Sequence, residues 1–263
     1  MTSPSSPSVP LLRSRALAGE TLFGTFLGLG SPTAAEICGR AGFDWLLVDL
    51  EHGVGTEADL LATLHAIEGT AATAIVRPAS GERLRIGRAL DYGAGGIMVP
   101  RLERVEEVGE AVTYLRFPPE GVRGVALSTR GAGMGFVAHA QIREINQTVL
   151  GVIQIENPEA VANAGEIAAI DGVDVLFVGP TDLSHSLGVP GQFDHPRYLE
   201  ALTLVVTAAR SAGKSPGVLL RKVALLERHL ELGFRFIGIG SDGGFIADSA
   251  RAVLDTARAR PVG

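Results

Sequence analysis

The feature that most constrains this chain is a regular alternation of short apolar runs with longer amphipathic stretches, repeated eight times between residues 21 and 259. Short apolar runs bounded by Gly, Pro or polar residues are typical of buried parallel strands, and longer amphipathic stretches are typical of helices. The predicted strands are 21–27, 45–50, 73–76, 95–99, 150–155, 173–178, 216–220 and 234–239. A helix is predicted after each strand, the last over 246–259.

Eight strand–helix units in a chain of this length favour one (β/α)8 barrel, the α/β fold known as the TIM barrel, over residues 21–263. The alternative is an open, doubly wound sheet, but Gly28 and Gly30 stand without the third glycine of that fold's fingerprint. The Ser/Pro-rich start of the chain predicts a flexible segment over 1–20. The alternation breaks at a Gly-rich stretch over 117–137, which predicts a functional or mobile loop.

Bulk composition argues against several classes of function. The net charge of −6 leaves no basic footprint for nucleic acid, and no apolar run is long enough to cross a membrane. The single cysteine, Cys38, excludes an intramolecular disulfide and fits a reducing cytoplasm. Its position on an apolar helix face favours a buried structural thiol over a nucleophile. We therefore expect a cytoplasmic protein whose partners are small molecules.

Polar side chains gather where the predicted strands end. The second strand ends in Asp49, Glu51 and His52, and four other strands end in similar residues. In a barrel all strands end at one mouth, so residues distant along the chain converge there. The other strand-end residues are Arg77, Gln154, Glu156, Asp182 and Ser241. The alternative, a set of charged but merely solvated loops, accounts poorly for five strands that end in this way.

Two of these side chains suit a divalent cation. Glu156 and Asp182 follow adjacent strands, and paired carboxylates with few His or Cys nearby are typical ligands of Mg²⁺ or Mn²⁺. Water and substrate would complete the shell of the cation. The alternative is that each carboxylate caps the helix that begins beside it.

The remaining strand-end residues suggest acid–base chemistry. Asp49 and His52 are spaced to hydrogen-bond, which would fix the imidazole tautomer and make His52 a base, acting directly or through water. Arg77 offers a planar fork for a carboxylate or a developing enolate oxygen, although it is also positioned to pair with Glu51. The turn over 179–182 presents backbone N–H groups ahead of a helix, which suits an anion.

Several of these segments together resemble the HpcH/HpaI aldolase/citrate lyase family, and in particular its metal-dependent, class II pyruvate aldolases. The resemblance spans roughly residues 24–244, with the segments in the same order. Each segment is short, but the combination is specific. The segments are FDWLLVDLEHG (43–53), RP (77–78), GIMVP (96–100), PPEGVRG (118–124), QIE (154–156) and FVGPTDLS (177–184).

The resemblance implies a modified barrel with a divalent cation, Mg²⁺ or Mn²⁺ with Co²⁺ as a further option. Glu156 and Asp182 would be the protein ligands of this cation. Arg77 would stabilise the pyruvate enolate, and Gln154 would lie beside the bound pyruvate. The backbone at Thr181 and Asp182 would hold the pyruvate carboxylate.

The resemblance also implies that Asp49 and His52 form an acid–base dyad, with Glu51 on a water bound to the cation. Such enzymes are homo-oligomers, hexamers or trimers, whose last helix packs on a neighbouring subunit. Asp91 matches an aspartate that acts in trans. It ends a helix just before the fourth strand, at the opposite end of its own barrel, so only a neighbour's site is within its reach. The loop over 118–124 lies on that side too. The alternative for Asp91 is an ordinary surface carboxylate.

The activity implied is reversible retro-aldol cleavage of a 4-hydroxy-2-oxoacid to pyruvate and an aldehyde. Two alternatives keep the metal–enolate site: a CoA-ester lyase of the malyl- or citramalyl-CoA type, and an oxaloacetate decarboxylase. A CoA lyase needs a basic groove, for which we find only Arg77, Arg101 and Arg130 near the mouth. A third alternative is a catalytically silent binding barrel, against which the intact strand-end residues argue. Of the two lysines, Lys214 precedes the seventh strand, whereas Lys222 follows it and is not excluded as a Schiff-base residue by position.

Overall fold

The computed structural model describes residues 11–260 and contains a closed barrel of eight parallel strands in chain order. Its strands are β1 (Leu22–Leu27), β2 (Trp45–Asp49), β3 (Thr73–Arg77), β4 (Gly96–Val99), β5 (Leu150–Ile155), β6 (Val175–Val178), β7 (Ser215–Leu220) and β8 (Phe236–Ser241). β1 pairs with both β2 and β8, so the sheet closes on itself. The predicted (β/α)8 fold is therefore confirmed, and the open doubly wound sheet is excluded.

Helices cover the barrel. Within residues 11–260 they are α1 (Leu12–Leu17), α2 (Pro32–Arg40), α3 (Glu57–Glu68), α4 (Arg83–Asp91), α5 (Val105–Leu115), α6 (Ile142–Ile145), α7 (Pro158–Ala162), α8 (Ala164–Ala169), α9 (Pro180–Ser186), α10 (Pro196–Ser211), α11 (Leu226–Leu232) and α12 (Asp242–Arg258). Proline opens α2, α7, α9 and α10, where its missing N–H leaves no helical hydrogen bond unmade. None of the helices in this range has the length and apolar character that crossing a membrane requires.

Large apolar side chains fill the barrel interior. The rings of Trp45 and Phe236 stack with centroids 4.5 Å apart, and Phe26 and Phe177 meet Trp45 edge-on at 6.4 and 6.2 Å. A Cβ on Gly24 would lie 2.0 Å from the Trp45 ring, so only glycine leaves room for the indole at that position. This aromatic layer supports the mouth of the barrel from below.

A second apolar layer lies between the strands and the helices. Successive side chains of a strand point to opposite faces, so in β2 Leu47 joins the interior whereas Leu46 and Val48 join the outer layer. Cys38 on α2 belongs to this outer layer and is buried as a free thiol. The predicted structural role of Cys38 is consistent with that burial.

The segment before the barrel differs from the flexible stretch that we expected over 1–20. Its second half contains α1, whose Leu12 is buried against the barrel interior. Arg13 Nε donates to Oδ2 of the buried Asp174 at 2.9 Å, which ties α1 to the start of β6. α1 therefore closes the end of the barrel opposite the mouth. A six-residue helix is too short for its period to be recognised from sequence. The expectation for residues 1–10 lies outside the described residues.

The irregular stretch after α5 is fixed by contacts at the lower end of the barrel. Phe117 N–H donates to Asn146 Oδ1 at 2.7 Å, and Asn146 Nδ2 donates back to the Phe117 carbonyl at 3.1 Å. The buried Arg123 lies over the Phe117 ring at 4.2 Å and donates to Asp91 Oδ1 at 3.2 Å. This stretch and the end of α4 therefore form one connected surface away from the mouth.

Candidate active site at the carboxyl end of the barrel

Two charged residues end neighbouring strands and face each other directly. Asp49 ends β2 and Arg77 ends β3, and the two are partners in the parallel ladder. Arg77 donates from Nε to Asp49 Oδ1 at 2.9 Å and from Nη2 to Asp49 Oδ2 at 2.6 Å. Both side chains are buried, so this bidentate contact holds the guanidinium in one orientation.

The same guanidinium reaches three further groups. Its Nη1 lies 3.1 Å from Glu51 Oε2 and 3.4 Å from Gln154 Oε1, and its Cζ lies 5.5 Å from the Phe26 ring centre. Burial by itself would raise the pKa of Asp49, but the hydrogen bonds and the charge of Arg77 outweigh burial and hold this pKa below its ordinary value. Asp49 is therefore an anion that anchors Arg77, and it is poorly suited to accept a proton near neutral pH.

His52 lies at the mouth, but the expected hydrogen bond between its imidazole and Asp49 is not formed. Asp49 Oδ1 instead accepts the backbone N–H groups of Glu51 and His52 at 3.1 and 3.2 Å. The His52 side chain is 63% exposed, and its Nε2 lies 3.8 Å from Glu51 Oε2. The physical reason is competition, because Arg77 already binds both carboxylate oxygens of Asp49.

Glu156 directly follows β5, and both of its carboxylate oxygens are held. Oε1 accepts the backbone N–H of Arg101 at 3.1 Å, and Oε2 accepts Gln154 Nε2 at 3.1 Å. Arg101 presents this N–H from a left-handed backbone conformation with φ of 57°, which is unusual for a residue other than glycine. A Cβ on Gly179 would lie 2.9 Å from Glu156 Oε2, so glycine keeps space open beside the carboxylate.

Asp182 lies in the first turn of α9, immediately after β6. Burial and then the negative charges of Asp182 and Glu51 raise the pKa of Glu156 above its ordinary value. Within residues 11–260, no salt bridge joins Glu156 or Asp182 to a basic side chain, whereas the neighbouring Glu51 is paired with Arg77. The site therefore carries a local excess of negative charge.

Helix capping, the alternative explanation for these two carboxylates, is not supported. The cap of α7 is Asn157, whose Oδ1 accepts the Ala160 N–H at 2.8 Å. The residue at the N-cap of α9 is Gly179, so Asp182 lies inside the helix and accepts no capping hydrogen bond. Neither Glu156 nor Asp182 is therefore used to cap a helix.

A small cavity of about 150 Å³ lies among Glu51, Glu156 and Asp182. Crowded carboxylate oxygens without a basic partner fit a hard divalent cation, whose charge would offset the burial and the repulsion that together raise the pKa of Glu156. Across residues 11–260, no group of three or more His, Cys, Asp or Glu side chains has the geometry to enclose a metal. A cation held by Glu156 and Asp182 would therefore need water and substrate to complete its shell.

A larger cavity of about 790 Å³ opens at the mouth. Its apolar wall is formed by Phe26, Phe177 and Leu219. The predicted site residues that line it are Asp49, His52, Arg77, Gln154, Thr181, Asp182 and Ser241. Residues from five different strand ends thus share one cavity, as the barrel argument requires.

Sequence reasoning missed three residues of this cavity, Arg221, Phe245 and Asp248. Arg221 follows β7 directly and was recognisable in principle, because it lies two positions after Leu219, which faces the barrel interior. Phe245 and Asp248 lie on α12, and their sequence carries no signal that this helix borders the mouth.

Other candidate residues lie away from the mouth. Asp91 is at the opposite end of the barrel with Arg123, as described above. Arg130 lies there too, where it donates to the Tyr92 carbonyl at 3.0 Å, so its expected position near the mouth was wrong. Lys222 follows Arg221 but lines neither cavity, which argues against a Schiff base at that residue.

Fold and site together define a (β/α)8 enzyme whose polar residues meet at the carboxyl ends of the strands. The sequence pattern of the HpcH/HpaI aldolase/citrate lyase family matches residues 22–249. The chain belongs to this family and is a carbon–carbon lyase.

Individual relatives agree with this assignment. The chain is 36% identical over 236 residues to 4-hydroxy-2-oxo-heptane-1,7-dioate aldolase of Salmonella arizonae, with 90% of each chain covered. A solved structure of a HpcH/HpaI aldolase/citrate lyase family protein from Burkholderia cenocepacia is 35% identical and has a TM-score of 0.90, covering 94% of this chain and 99% of that one. The HpcH/HpaI aldolase from Desulfitobacterium hafniense is 29% identical with a TM-score of 0.90, covering 97% and 99%.

Proposed function

We propose that this enzyme is a divalent-metal-dependent aldolase that reversibly cleaves a 4-hydroxy-2-oxoacid to pyruvate and an aldehyde. The observation that carries the proposal is the pair of carboxylates Glu156 and Asp182, which have no basic partner within residues 11–260 and share the small cavity beside Glu51. Asp182 also lines the larger cavity on which Arg77 lies. The name of the Salmonella relative, which specifies a substrate of this chemical class, supports the proposal.

Glu156 and Asp182 would hold the cation, Mg²⁺ or Mn²⁺, which when bound supplies Lewis acidity toward the oxygens of a 2-oxoacid. Gln154 holds one oxygen of Glu156 through its amide N–H and also borders the mouth cavity, beside the pyruvate half of the substrate. The backbone N–H groups of Thr181 and Asp182 belong to the first turn of α9, which leaves them free to donate to the substrate carboxylate.

The bond that breaks joins C3 and C4 of the substrate. Its electron pair passes to the pyruvate half, which becomes an enolate, while the C4 hydroxyl loses its proton and becomes the aldehyde carbonyl. Arg77, held in position by Asp49, offers its guanidinium to the negative charge that develops on the pyruvate half. A preorganised donor of this kind contributes to the rate because it does not have to reorient during the reaction.

His52 is the base that this arrangement favours. Its imidazole is exposed at the mouth, whereas Asp49 is committed to Arg77 and has a lowered pKa. Glu51 Oε2 lies 3.8 Å from Nε2 of this imidazole, and a water carries the C4 hydroxyl proton to the ring. The proton then passes to C3 of the pyruvate enolate, which becomes the methyl group of pyruvate, and the enzyme is restored.

The proposal includes a homo-oligomer, a hexamer or trimer, in which Asp91 of one subunit completes the site of the next. Asp91 is partly exposed at the lower end of its own barrel, and Arg123 holds its carboxylate at 3.2 Å. A carboxylate oriented in this way suits contact with a neighbouring mouth better than an unrestrained surface side chain would.

Metal dependence tests the proposal. EDTA should abolish condensation of pyruvate with short aldehydes, and Mg²⁺ or Mn²⁺ should restore it. Glu156→Gln and Asp182→Asn should each lower kcat/KM by on the order of 100-fold or more and weaken Mn²⁺ binding in calorimetry. Glu159→Gln, which changes an exposed carboxylate on α7, is the matched control and should behave like the unmodified enzyme.

A different outcome would overturn the proposal. If borohydride with pyruvate inactivates the enzyme and EDTA does not, the reaction proceeds through a lysine Schiff base. The same assay with malyl-CoA, citramalyl-CoA and oxaloacetate separates the aldolase from the CoA-ester lyase and the decarboxylase.

A further inference from the structure

Arg221 occupies a part of the mouth that the proposed chemistry does not use. It follows β7 directly and lines the 790 Å³ cavity together with Leu219, Phe245 and Asp248. Because strand residues alternate between faces, Arg221 continues the inward face of Leu219, which packs with the barrel interior. Arg221 is exposed and lines the cavity at its rim.

Arg221 lies across the mouth from Arg77. In the closed order of eight strands, β3 and β7 are four strands apart, so their carboxyl ends face each other over the cavity. Arg77, Gln154 and Asp182 occupy the part of the cavity assigned to the 2-oxoacid. The rest of the cavity, lined by Phe26, Phe177, Leu219 and Arg221, offers space for the far end of a substrate anchored there.

The two arginines differ in their partners. Arg77 is buried and is held in place by Asp49, Glu51 and Gln154. Within residues 11–260, no salt bridge or side-chain hydrogen bond involves Arg221, although Asp248 lines the same cavity. Arg221 is thus a cation on the substrate cavity with all its donors available.

We propose that Arg221 binds an anionic group at the far end of the aldehyde half of the substrate. This inference rests on the proposed aldolase function and names the class of aldehyde: one that carries a carboxylate or a phosphate. A guanidinium fork matches the two oxygens of either group, and the apolar wall of Phe26, Phe177 and Leu219 suits the carbon chain between the two ends. Arg221 is then a specificity-determining residue, separate from the residues that make and break the bond.

Paired aldehydes test this assignment. Condensation of pyruvate with succinic semialdehyde is compared with butanal, which has the same number of carbons and no carboxylate. Glyceraldehyde 3-phosphate is compared with glyceraldehyde to separate phosphate from carboxylate as the preferred anion. The unmodified enzyme should favour at least one anionic aldehyde over its neutral counterpart, mainly through a lower KM.

The variants sharpen the test. Arg221→Gln should reduce the preference in kcat/KM for the anionic aldehyde by about 10- to 100-fold relative to the neutral one, the range expected for a lost charged hydrogen bond. Arg221→Lys should retain part of the preference, since it keeps the charge and loses the fork. Lys222→Gln removes the adjacent charge, which does not line the cavity, and should leave the preference unchanged.

Three outcomes would overturn the assignment. One is an unmodified enzyme that shows no preference for either anion. Another is an Arg221→Gln variant that loses activity equally with both members of a pair and shows a raised KM for pyruvate, which would assign Arg221 to the 2-oxoacid end. Absence of condensation with every aldehyde in the presence of metal would overturn the proposed function itself, and this inference with it.

Discussion

At the residue scale, the Asp49–Arg77 pair fixes the charge balance of the site. Both side chains are buried, and in the described part of the chain the carboxylates paired with the arginine are Asp49 and Glu51. Asp49→Asn keeps the shape of the side chain but leaves Arg77 with one carboxylate partner in a poorly solvated environment. We expect this change to lower the free energy of unfolding by about 3 kcal/mol at pH 7, as measured by urea denaturation.

The pH dependence of this effect provides its control. Because the pKa of Asp49 is lowered in the fold, its stabilising contribution is fully present above its unfolded pKa of about 4 and is lost as the pH falls through the lowered value. The difference between Asp49→Asn and the unmodified protein should therefore shrink below about pH 4. Asp171 pairs with Arg116, but its carboxylate is 87% exposed. Asp171→Asn should therefore lower the free energy of unfolding by less than about 1 kcal/mol. Equal losses for the two variants would contradict the argument.

The left-handed backbone of Arg101 supports a second prediction. This conformation costs a non-glycine residue about 1 kcal/mol or more, and here it directs an N–H at Glu156. Arg101→Gly should change the free energy of unfolding by no more than about 0.5 kcal/mol, because relief of strain offsets the added freedom of the unfolded chain. Arg101→Val should lower it by about 1–2 kcal/mol, since β-branched residues tolerate positive φ poorly.

Lys222→Val is the control for Arg101→Val, because it also replaces a long basic side chain by valine. Lys222 is exposed and has φ of −137°, which valine adopts readily. Lys222→Val should therefore leave the free energy of unfolding nearly unchanged in the same urea titration. A loss as large as that of Arg101→Val would show that backbone strain is not the cause.

Residue-level prediction succeeded where chain position alone decides the outcome. Asp49, Arg77, Gln154 and Glu156 were expected at one mouth because strand ends in a barrel converge, and the structure brings them together. Partner choice was harder to predict. Spacing suggested a contact between the Asp49 carboxylate and the imidazole of His52, but spacing along one strand cannot reveal that an arginine on the next strand competes for the same oxygens.

At the element scale, α1 shows how a short helix contributes to a barrel. Its Leu12 is 5% exposed and packs with the interior layer, whereas the preceding Leu11 is 51% exposed. Leu12→Ala should lower the free energy of unfolding by about 2–4 kcal/mol, because it removes a buried side chain and leaves a cavity. Leu11→Ala is the matched control and should cost less than about 0.5 kcal/mol by the same thermal or urea measurement. Similar effects for the two leucines would mean that α1 does not close the barrel in solution.

Element boundaries followed from sequence where the apolar runs are long and failed where elements are short. The eight strands were predicted to within two residues at either end because each is a continuous apolar run between breakers. The six-residue α1 and the seven-residue α9 were not predicted, and residues 183–196 were assigned to a loop. One or two helical turns contain too few residues to show a period of 3.6, so tertiary contacts determine them instead.

At the scale of the whole molecule, closure of the barrel explains why dispersed residues form one site. The number and order of strand–helix units predicted closure, and the pairing of β1 with β8 confirms it. Closure of the barrel does not determine which helix faces stay exposed to solvent. Beyond Phe245, every residue of α12 is exposed, including an apolar stripe at helical spacing: Ile246, Ala250, Val253, Leu254 and Ala257.

Exposure of this apolar stripe to water is energetically unfavourable. The stripe lies on α12, the helix whose first turns border the mouth. We expect it to pack on a second copy of the chain, in line with the proposed oligomer. Val253→Asp should then lower the molecular mass measured by light scattering, because it introduces a charge into an apolar contact. Val223→Asp is the control, since Val223 is exposed to a similar degree, 65% against 68%, but lies outside α12.

Activity measured on the same samples links assembly to catalysis. If Asp91 acts in a neighbouring site, the dissociated Val253→Asp protein should lose aldol condensation even though the Asp49–Arg77 pair and the carboxylates of its own barrel are unchanged. Asp91→Asn in the intact oligomer should cause a comparable loss without a change in mass. Full activity in a dissociated Val253→Asp protein would instead show that each barrel is complete by itself, and that Asp91 is an ordinary surface carboxylate held by Arg123.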